Sequence, residues 1–126
     1  MEHEELAGKI MGAAIRVHRE LGPGYLESIY EEALCIELAA IGLKFSRQIP
    51  VEIQYRGRCV GAHRLDLLVE DAVIVELEAV LALQDIYFAT VRSYLRAAGK
   101  SVGLIIDFAA VTVQTKRIGP DLPIRA

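Results

Sequence analysis

Asp66, Glu76 and Glu78 are the residues of this 126-residue sequence whose types and spacing could do chemistry. They sit in two apolar runs, Arg64-Leu65-Asp66-Leu67-Leu68-Val69 and Ala72-Val73-Ile74-Val75-Glu76-Leu77-Glu78, separated by Glu70-Asp71. Side chains alternate across a strand, so Glu76 and Glu78 share a face, as do Arg64, Asp66 and Leu68. The separation of Asp66 from Glu76 is even. The two oppose each other across a hairpin if the turn is centred on Asp71 with an odd loop. A two-residue turn at Glu70-Asp71 sends them to opposite faces. Two carboxylates on adjacent strands suit Mg2+ or Mn2+, hard cations that take oxygen ligands and retain waters. A cation held in this way polarises a phosphodiester and activates a water. On spacing alone, acids merely solvated near strand ends are the commoner arrangement, by about two to one. Arg64, on the Asp66 face, is placed to pair with a carboxylate and lower its pKa.

The elements that must position these acids follow from hydrophobic periodicity. Residues 4–20 read as an amphipathic helix with Leu6, Ile10, Ala13, Ala14 and Val17 inward, stopped by Leu21-Gly22-Pro23-Gly24. A second helix spans about 25–41, with Leu26, Ile29, Ala33, Leu34 and Leu38 inward and Gly42 as its stop signal. Glu27 lies in its first turn, where an acid complements the helix dipole. Strands are predicted at 45–55, interrupted at Pro50, then at 58–69 after an Arg56-Gly57 turn, and at 72–78. A helix at 84–98 and strands at 101–107 and 111–117 complete the order ααβββαββ. The class is α/β: two N-terminal helices, then a mixed sheet with a flanking helix. No repeat, linker or low-complexity segment divides the chain, so residues 1–126 read as one domain.

Composition sets the outer limits. Apolar residues make up 53% of the chain and mean hydropathy is +0.33, more apolar surface than a small domain readily hides. Residues 86–95, Ile-Tyr-Phe-Ala-Thr-Val-Arg-Ser-Tyr-Leu, read as a helix apolar around most of its circumference, buried on more than one side. Together these features favour a homo-oligomer. Net charge is −3 with a pI near 5.6, which disfavours nucleic acid as a partner without excluding a local basic patch. Cys35 and Cys59 show no metal-ligand spacing, and His3, His18 and His63 none either. The acidic start lacks a secretory pattern and no apolar run reaches membrane-spanning length, so a cytoplasmic protein with no membrane association is expected.

Several separated motifs add to this reading. Gly24-Tyr25-Leu26-Glu27-Ser28-Ile29-Tyr30 resembles the signature of the GxxExxY protein family, within the PD-(D/E)xK nuclease-like superfamily. The likeness extends over nearly the whole chain, through Leu21-Gly22-Pro23-Gly24, Tyr30-Glu31-Glu32-Ala33-Leu34, Tyr55-Arg56-Gly57 and Arg64-Leu65-Asp66-Leu67-Leu68-Val69. It continues in Val73-Ile74-Val75-Glu76-Leu77, Tyr94-Leu95 and Gly103-Leu104-Ile105-Ile106-Asp107-Phe108. The resemblance implies a nuclease-like core in which the hairpin and a flanking helix frame a site of Glu27, Asp66 and Glu76, with Mg2+ or Mn2+ as cofactor. Tyr30, Arg64, Tyr87 and Tyr94 are structural or accessory candidates.

Departures from the pattern matter as much. The superfamily motif ends in a lysine two residues after the second acid, where this chain has Glu78. That lysine places positive charge against the developing phosphorane and helps orient the attacking water; glutamate reverses the charge. The helix after the hairpin carries His and Gln in the family, where this chain has Tyr87 and Thr90. The leading expectation is therefore a degenerate nuclease-like site in a self-assembling or binding module. The alternative is an active Mg2+- or Mn2+-dependent nuclease with a variant E-x-E site using Glu27, Asp66, Glu76 and Glu78. A site that binds metal without hydrolysis stands between them.

Overall fold

A computed structural model describes residues 2–109 and 114–119. Helices α1 (Glu4–Leu21) and α2 (Glu27–Ala40) precede strands β1 (Phe45–Tyr55), β2 (Arg58–Val69) and β3 (Val73–Glu78). Helix α3 (Asp85–Ala98) leads into β4 (Val102–Asp107) and β5 (Gln114–Ile118). The expected order ααβββαββ is the order observed. Positions 111–113 of the last expected strand lie outside the described residues.

The five strands form one mixed sheet in the order β1-β2-β3-β4-β5. Among the described residues only β3 and β4 run parallel, because α3 carries the chain back across the sheet between them. These two strands are covered on both faces, which is why their sequences are nearly continuous apolar runs. On one face α1 and α2 pack Ile10, Ala14, Leu34 and Leu38 against Val75, Leu77, Leu104 and Ile106. On the other, α3 sets Val91 and Leu95 against Ile74 and Ile105. Among the described residues no helix is long and apolar enough to cross a membrane.

Local details depart from the periodicity. The inward face of α2 carries Tyr30, Glu31, Leu34, Cys35 and Leu38, while Leu26 and Ile29 are exposed. Tyr30 rotates the stripe: its ring stacks on Phe108 at 4.4 Å, and its hydroxyl donates to the Gly22 carbonyl at 2.6 Å. The same hydroxyl accepts from the Tyr25 N–H at 3.2 Å, so one side chain pins the loop that launches α2. Pro50 does not interrupt β1, since an edge strand tolerates a missing donor. β1 instead leaves the extended conformation at Gln48, whose φ is 50°, and its register with β2 shifts between Ile53 and Gln54. Helix α3 is not buried all round. Tyr87 and Phe88 pack on this chain's own α3-side core, and Ile86 is exposed.

Candidate carboxylate site

The β2–β3 ladder pairs Leu67 with Val75, Leu68 with Ile74 and Val69 with Val73. Three residues, 70–72, therefore fill the loop, with Asp71 at its centre. Glu70 and Asp71 both adopt φ 52°, and the Ala72 N–H closes the turn on the Val69 carbonyl at 3.0 Å. This odd loop places Asp66 opposite Glu76, as the spacing required. There the backbone ladder stops and side chains take over. The Asp66 N–H donates to Glu76 Oε2 at 2.7 Å, and the Leu77 N–H donates to Asp66 Oδ2 at 2.9 Å.

A second break lies directly across on β1. Arg47 reaches Glu31 on α2, yet Ile49 and Val51 join the α3-side core. Likewise Leu67 packs beneath α1 and α2 while Leu65 faces α3. Simple alternation would keep each of these odd-numbered sets on one face. Both strands therefore turn over at the Gln48–Asp66 level. Gln48, held in a left-handed conformation, donates from Nε2 to Glu31 Oε1 at 2.8 Å and lies near enough to the Asp66 carboxylate to oppose the rise in its pKa. Arg47 completes the compensation of buried Glu31 with bonds of 3.1 and 2.8 Å.

Other acids converge from separate elements. Glu27, in the first turn of α2, lies near the Ala79 N–H just beyond β3, which favours its anion. Glu78 pairs with Asp107 in the parallel β3–β4 ladder, which puts both side chains on one side of the sheet. Asp107 is only 1% exposed; its Oδ1 accepts from the Val80 and Ala109 N–H groups at 3.2 and 3.0 Å. Its Oδ2 is buried with no hydrogen-bond partner. Among the described residues none of Glu27, Asp66, Glu76, Glu78 or Asp107 forms an ion pair.

Uncompensated carboxylates resist ionisation. Glu76, 8% exposed, is pushed up to about 8, first by burial and then by Asp66. Burial and the charges of Glu27, Asp66 and Asp107 raise Glu78 to about 7. Glu27 is raised by burial, with Asp66 and Asp107 adding to it against the Ala79 N–H. Asp66 is raised by burial, against the opposing effects of the Leu77 N–H and Gln48. Tyr94 on α3 is raised too, by burial and then by Glu76, Asp66 and Glu78, so its hydroxyl overlooks the same cluster.

The accessory candidates divide. Tyr94 stands at the acids, whereas Tyr30 braces the α1–α2 loop and Tyr87 fills core. Arg64 is exposed on the overturned part of β2 and pairs with no carboxylate among the described residues. Thr90 bonds back to the Ile86 carbonyl of its own helix at 2.8 Å. Gln48, Glu31 and Asp107 join the surroundings without having been singled out by spacing. Of these, Asp107 left a usable signal, an acid ending a strand beside the one that ends in Glu78.

The donor set is all hard oxygen, mutually repelling, with one orphaned buried oxygen, and this chemistry fits a divalent cation. Yet among the described residues no three Asp, Glu, His or Cys side chains stand close enough together to hold one ion. One oxygen each of Asp66 and Glu76 is committed to backbone N–H groups instead.

The family model of the PD-(D/E)XK nuclease superfamily matches residues 4–118. The chain belongs to this superfamily. No curated protein gives a significant match. Among solved structures, the one titled "Crystal structure of SSO0001" superposes with a TM-score of 0.59 at 12% identity, covering 96% of this chain. The chain spans 61% of that structure's length. An alkaline exonuclease (LHK-Exo) from Laribacter hongkongensis gives a TM-score of 0.51 at 12% identity, covering 91% of this chain and 80% of the exonuclease. Identities this low speak to fold alone. Glu78 lies within reach of the charges of Glu27, Asp66 and Asp107.

Proposed function

We propose that this chain is a degenerate member of the PD-(D/E)XK nuclease superfamily that binds a divalent cation without hydrolysing phosphodiesters and serves as a binding module. The observation that carries this reading is Glu78, whose carboxylate lies close enough to Glu27, Asp66 and Asp107 for each to raise its pKa. Negative charge at this point opposes a developing phosphorane, where hydrolysis requires positive charge or a hydrogen-bond donor. Glu27, Asp66 and Glu76, which stand too far apart here to grip one ion, would draw together to hold Mg2+ or Mn2+. When bound, such an ion supplies positive charge to a cluster that otherwise retains protons. The Leu77 N–H orients Asp66, the Asp66 N–H orients Glu76, and Tyr94 closes the α3 side.

The test combines thermal melting with a cleavage assay. Mg2+ or Mn2+ at pH 8 is expected to raise the melting temperature of the wild type, and Asp66→Ala to abolish that rise. Plasmid, single-stranded DNA and RNA are expected to survive incubation with the wild type, whereas Glu78→Lys gains metal-dependent cleavage. Cleavage by the wild type that disappears in EDTA and in Asp66→Ala would overturn this reading in favour of a variant E-x-E nuclease. A flat metal titration removes the cation.

Self-association is a second reading, favoured by Leu26 at 72% exposure and Leu81 at 99%. Both flank the neighbours Glu27 and Ala79 in sequence, so they place apolar surface at the rim of the acids. Light scattering decides it, with a concentration-independent monomer mass as the result against.

A further inference from the structure

The acids that converge at the ends of β3 and β4 have no counter-charge, and on the same chain arginines stand without a counter-acid. Among the described residues none of Glu27, Glu78 and Asp107 forms an ion pair, and neither do Arg56 and Arg58. Glu27 is exposed and Glu78 half-buried, so the cluster is open to a visiting group. Asp107 is buried at 1% exposure, yet its Oδ2 has no hydrogen-bond partner. Its charge acts on both Glu27 and Glu78, which fixes it in the same cluster. A buried acceptor without a donor marks a place where a donor is missing. The spread of the acids says what kind of donor. As they stand, no three Asp, Glu, His or Cys side chains among the described residues are close enough to hold one metal ion. A guanidinium spans more, being planar, always charged and furnished with several N–H donors. The rim adds a second requirement, because Leu26 and Leu81 are both exposed beside the acids. The visitor must carry apolar surface next to its charge.

The chain itself carries such a group. Beyond Gln48 and Asp66, β2 has left β3, while β1 and β2 stay paired from Ile49–Leu65 to Tyr55–Arg58. The outer part is a two-stranded ribbon whose β2 residues 58–64 are all exposed. Its tip turns tightly through Arg56 (φ 50°) and Gly57 (φ 75°) and presents Tyr55, Arg56, Arg58 and Val60, all exposed. The Arg56 guanidinium lies 5.5 Å from the Tyr55 ring centre, which keeps charge and apolar surface together. At about 3.3 Å per residue the tip stands on the order of 25 Å from Asp66. The β1–β2 ladder holds the ribbon extended, so the tip does not reach the acids at its own root.

We propose that two copies of this chain pair reciprocally, the ribbon tip of each placing Arg56 and Arg58 against Glu27, Glu78 and Asp107 of its partner. A two-fold axis makes both contacts at once, because the span from tip to acids is the same in each copy. Tyr55 and Val60 then meet Leu26 and Leu81, so apolar surface exposed at both ends is covered by the same contact. Each acid cluster is incomplete without the other chain. Position 78, a carboxylate where the superfamily motif has lysine, receives its positive charge in trans. The inference deepens the self-association reading and rests on it; what it adds is the contact and the residues that make it.

Sedimentation equilibrium of the full chain, in EDTA so that no metal contests the acids, tests the contact. The wild type is expected to be a dimer in reversible equilibrium with monomer. Arg56→Glu/Arg58→Glu and, separately, Glu27→Lys/Glu78→Lys are each expected to weaken the dimer about tenfold or more, because like charges then face each other. Mixed in equal amounts, the two variants are expected to associate more tightly than either does alone, since each supplies the charge that the other now needs. Lys9→Glu on α1 is expected to stay within about twofold of the wild type. Melting each variant alone confirms that it is folded. The ribbon variant changes only exposed positions and decides the contact even where the acid variant melts early. A monomeric wild type overturns both the contact and the self-association reading. A dimer that both variants leave intact overturns the contact alone, as does a mixture no tighter than its components. Growth into larger species with concentration overturns the reciprocal arrangement.

Discussion

Glu76 sits where a charge is hardest to carry, between β2 and β4, with Asp66 opposite and no cation beside it. Its pKa, ordinarily 4.5, stands at about 8 in the folded chain. The folded state thus keeps a proton that the unfolded chain releases near 4.5. The stability this contributes is fully present below that pH and is lost as pH rises toward 8. Glu78, raised to about 7, acts in the same direction but is partly exposed and contributes less. In EDTA the melting temperature should fall by about 5 °C or more between pH 5 and pH 8.5. Glu76→Gln, which keeps a neutral, hydrogen-bonding side chain, should flatten most of that slope. Stability rising over this interval would show that the carboxylates are stabilised as anions. The opposition of Asp66 and Glu76 was legible in their even separation, and Glu78 in its departure from a motif. Gln48 was not, because it depends on a left-handed break in β1; Asp107 left only the signal of an acid ending a strand, its place beside Glu78 depending on parallel pairing of strands distant in sequence.

Helix α3 is held to the sheet by close contact at one glycine. A Cβ at Gly103 on β4 would stand 2.8 Å from Val91 Cγ1 and 3.6 Å from the Leu95 methyls. Valine has little rotameric freedom in a helix, so it cannot easily swing away. Gly103→Ala should therefore destabilise the chain by about 1–3 kcal/mol, read from denaturant midpoints, by pushing α3 off the sheet. Tyr94 moves with the helix, so the variant should also blunt the Mg2+-induced melting shift. An unchanged midpoint would mean that α3 adjusts freely. The existence and order of the elements were readable from periodicity, since a parallel pair covered on both faces yields long apolar runs. Which face of α2 turns inward was not. Aliphatic spacing selected Ile29, whereas Tyr30 takes the inner position by joining ring stacking to a hydroxyl bond with the α1–α2 loop.

Across the whole molecule, the proposed cation would compete with protons for the same carboxylates. None of the ion pairs among the described residues reaches the acids at the ends of β3 and β4. Relief for those acids must come from bound protons or from a bound cation. Ligation requires deprotonated carboxylates, so cation affinity should rise as Glu76 and Glu78 lose their protons. The Mg2+-induced rise in melting temperature should accordingly be small at pH 5.5 and several-fold larger at pH 8.5. With saturating Mg2+ the fall in stability with pH should shrink, because the cation replaces the protons that the folded state loses. Calorimetric titration in buffers of different ionisation enthalpy should detect proton release on binding near pH 7. A shift of equal size at both pH values, with no proton released, would place the cation away from Glu76 and Glu78.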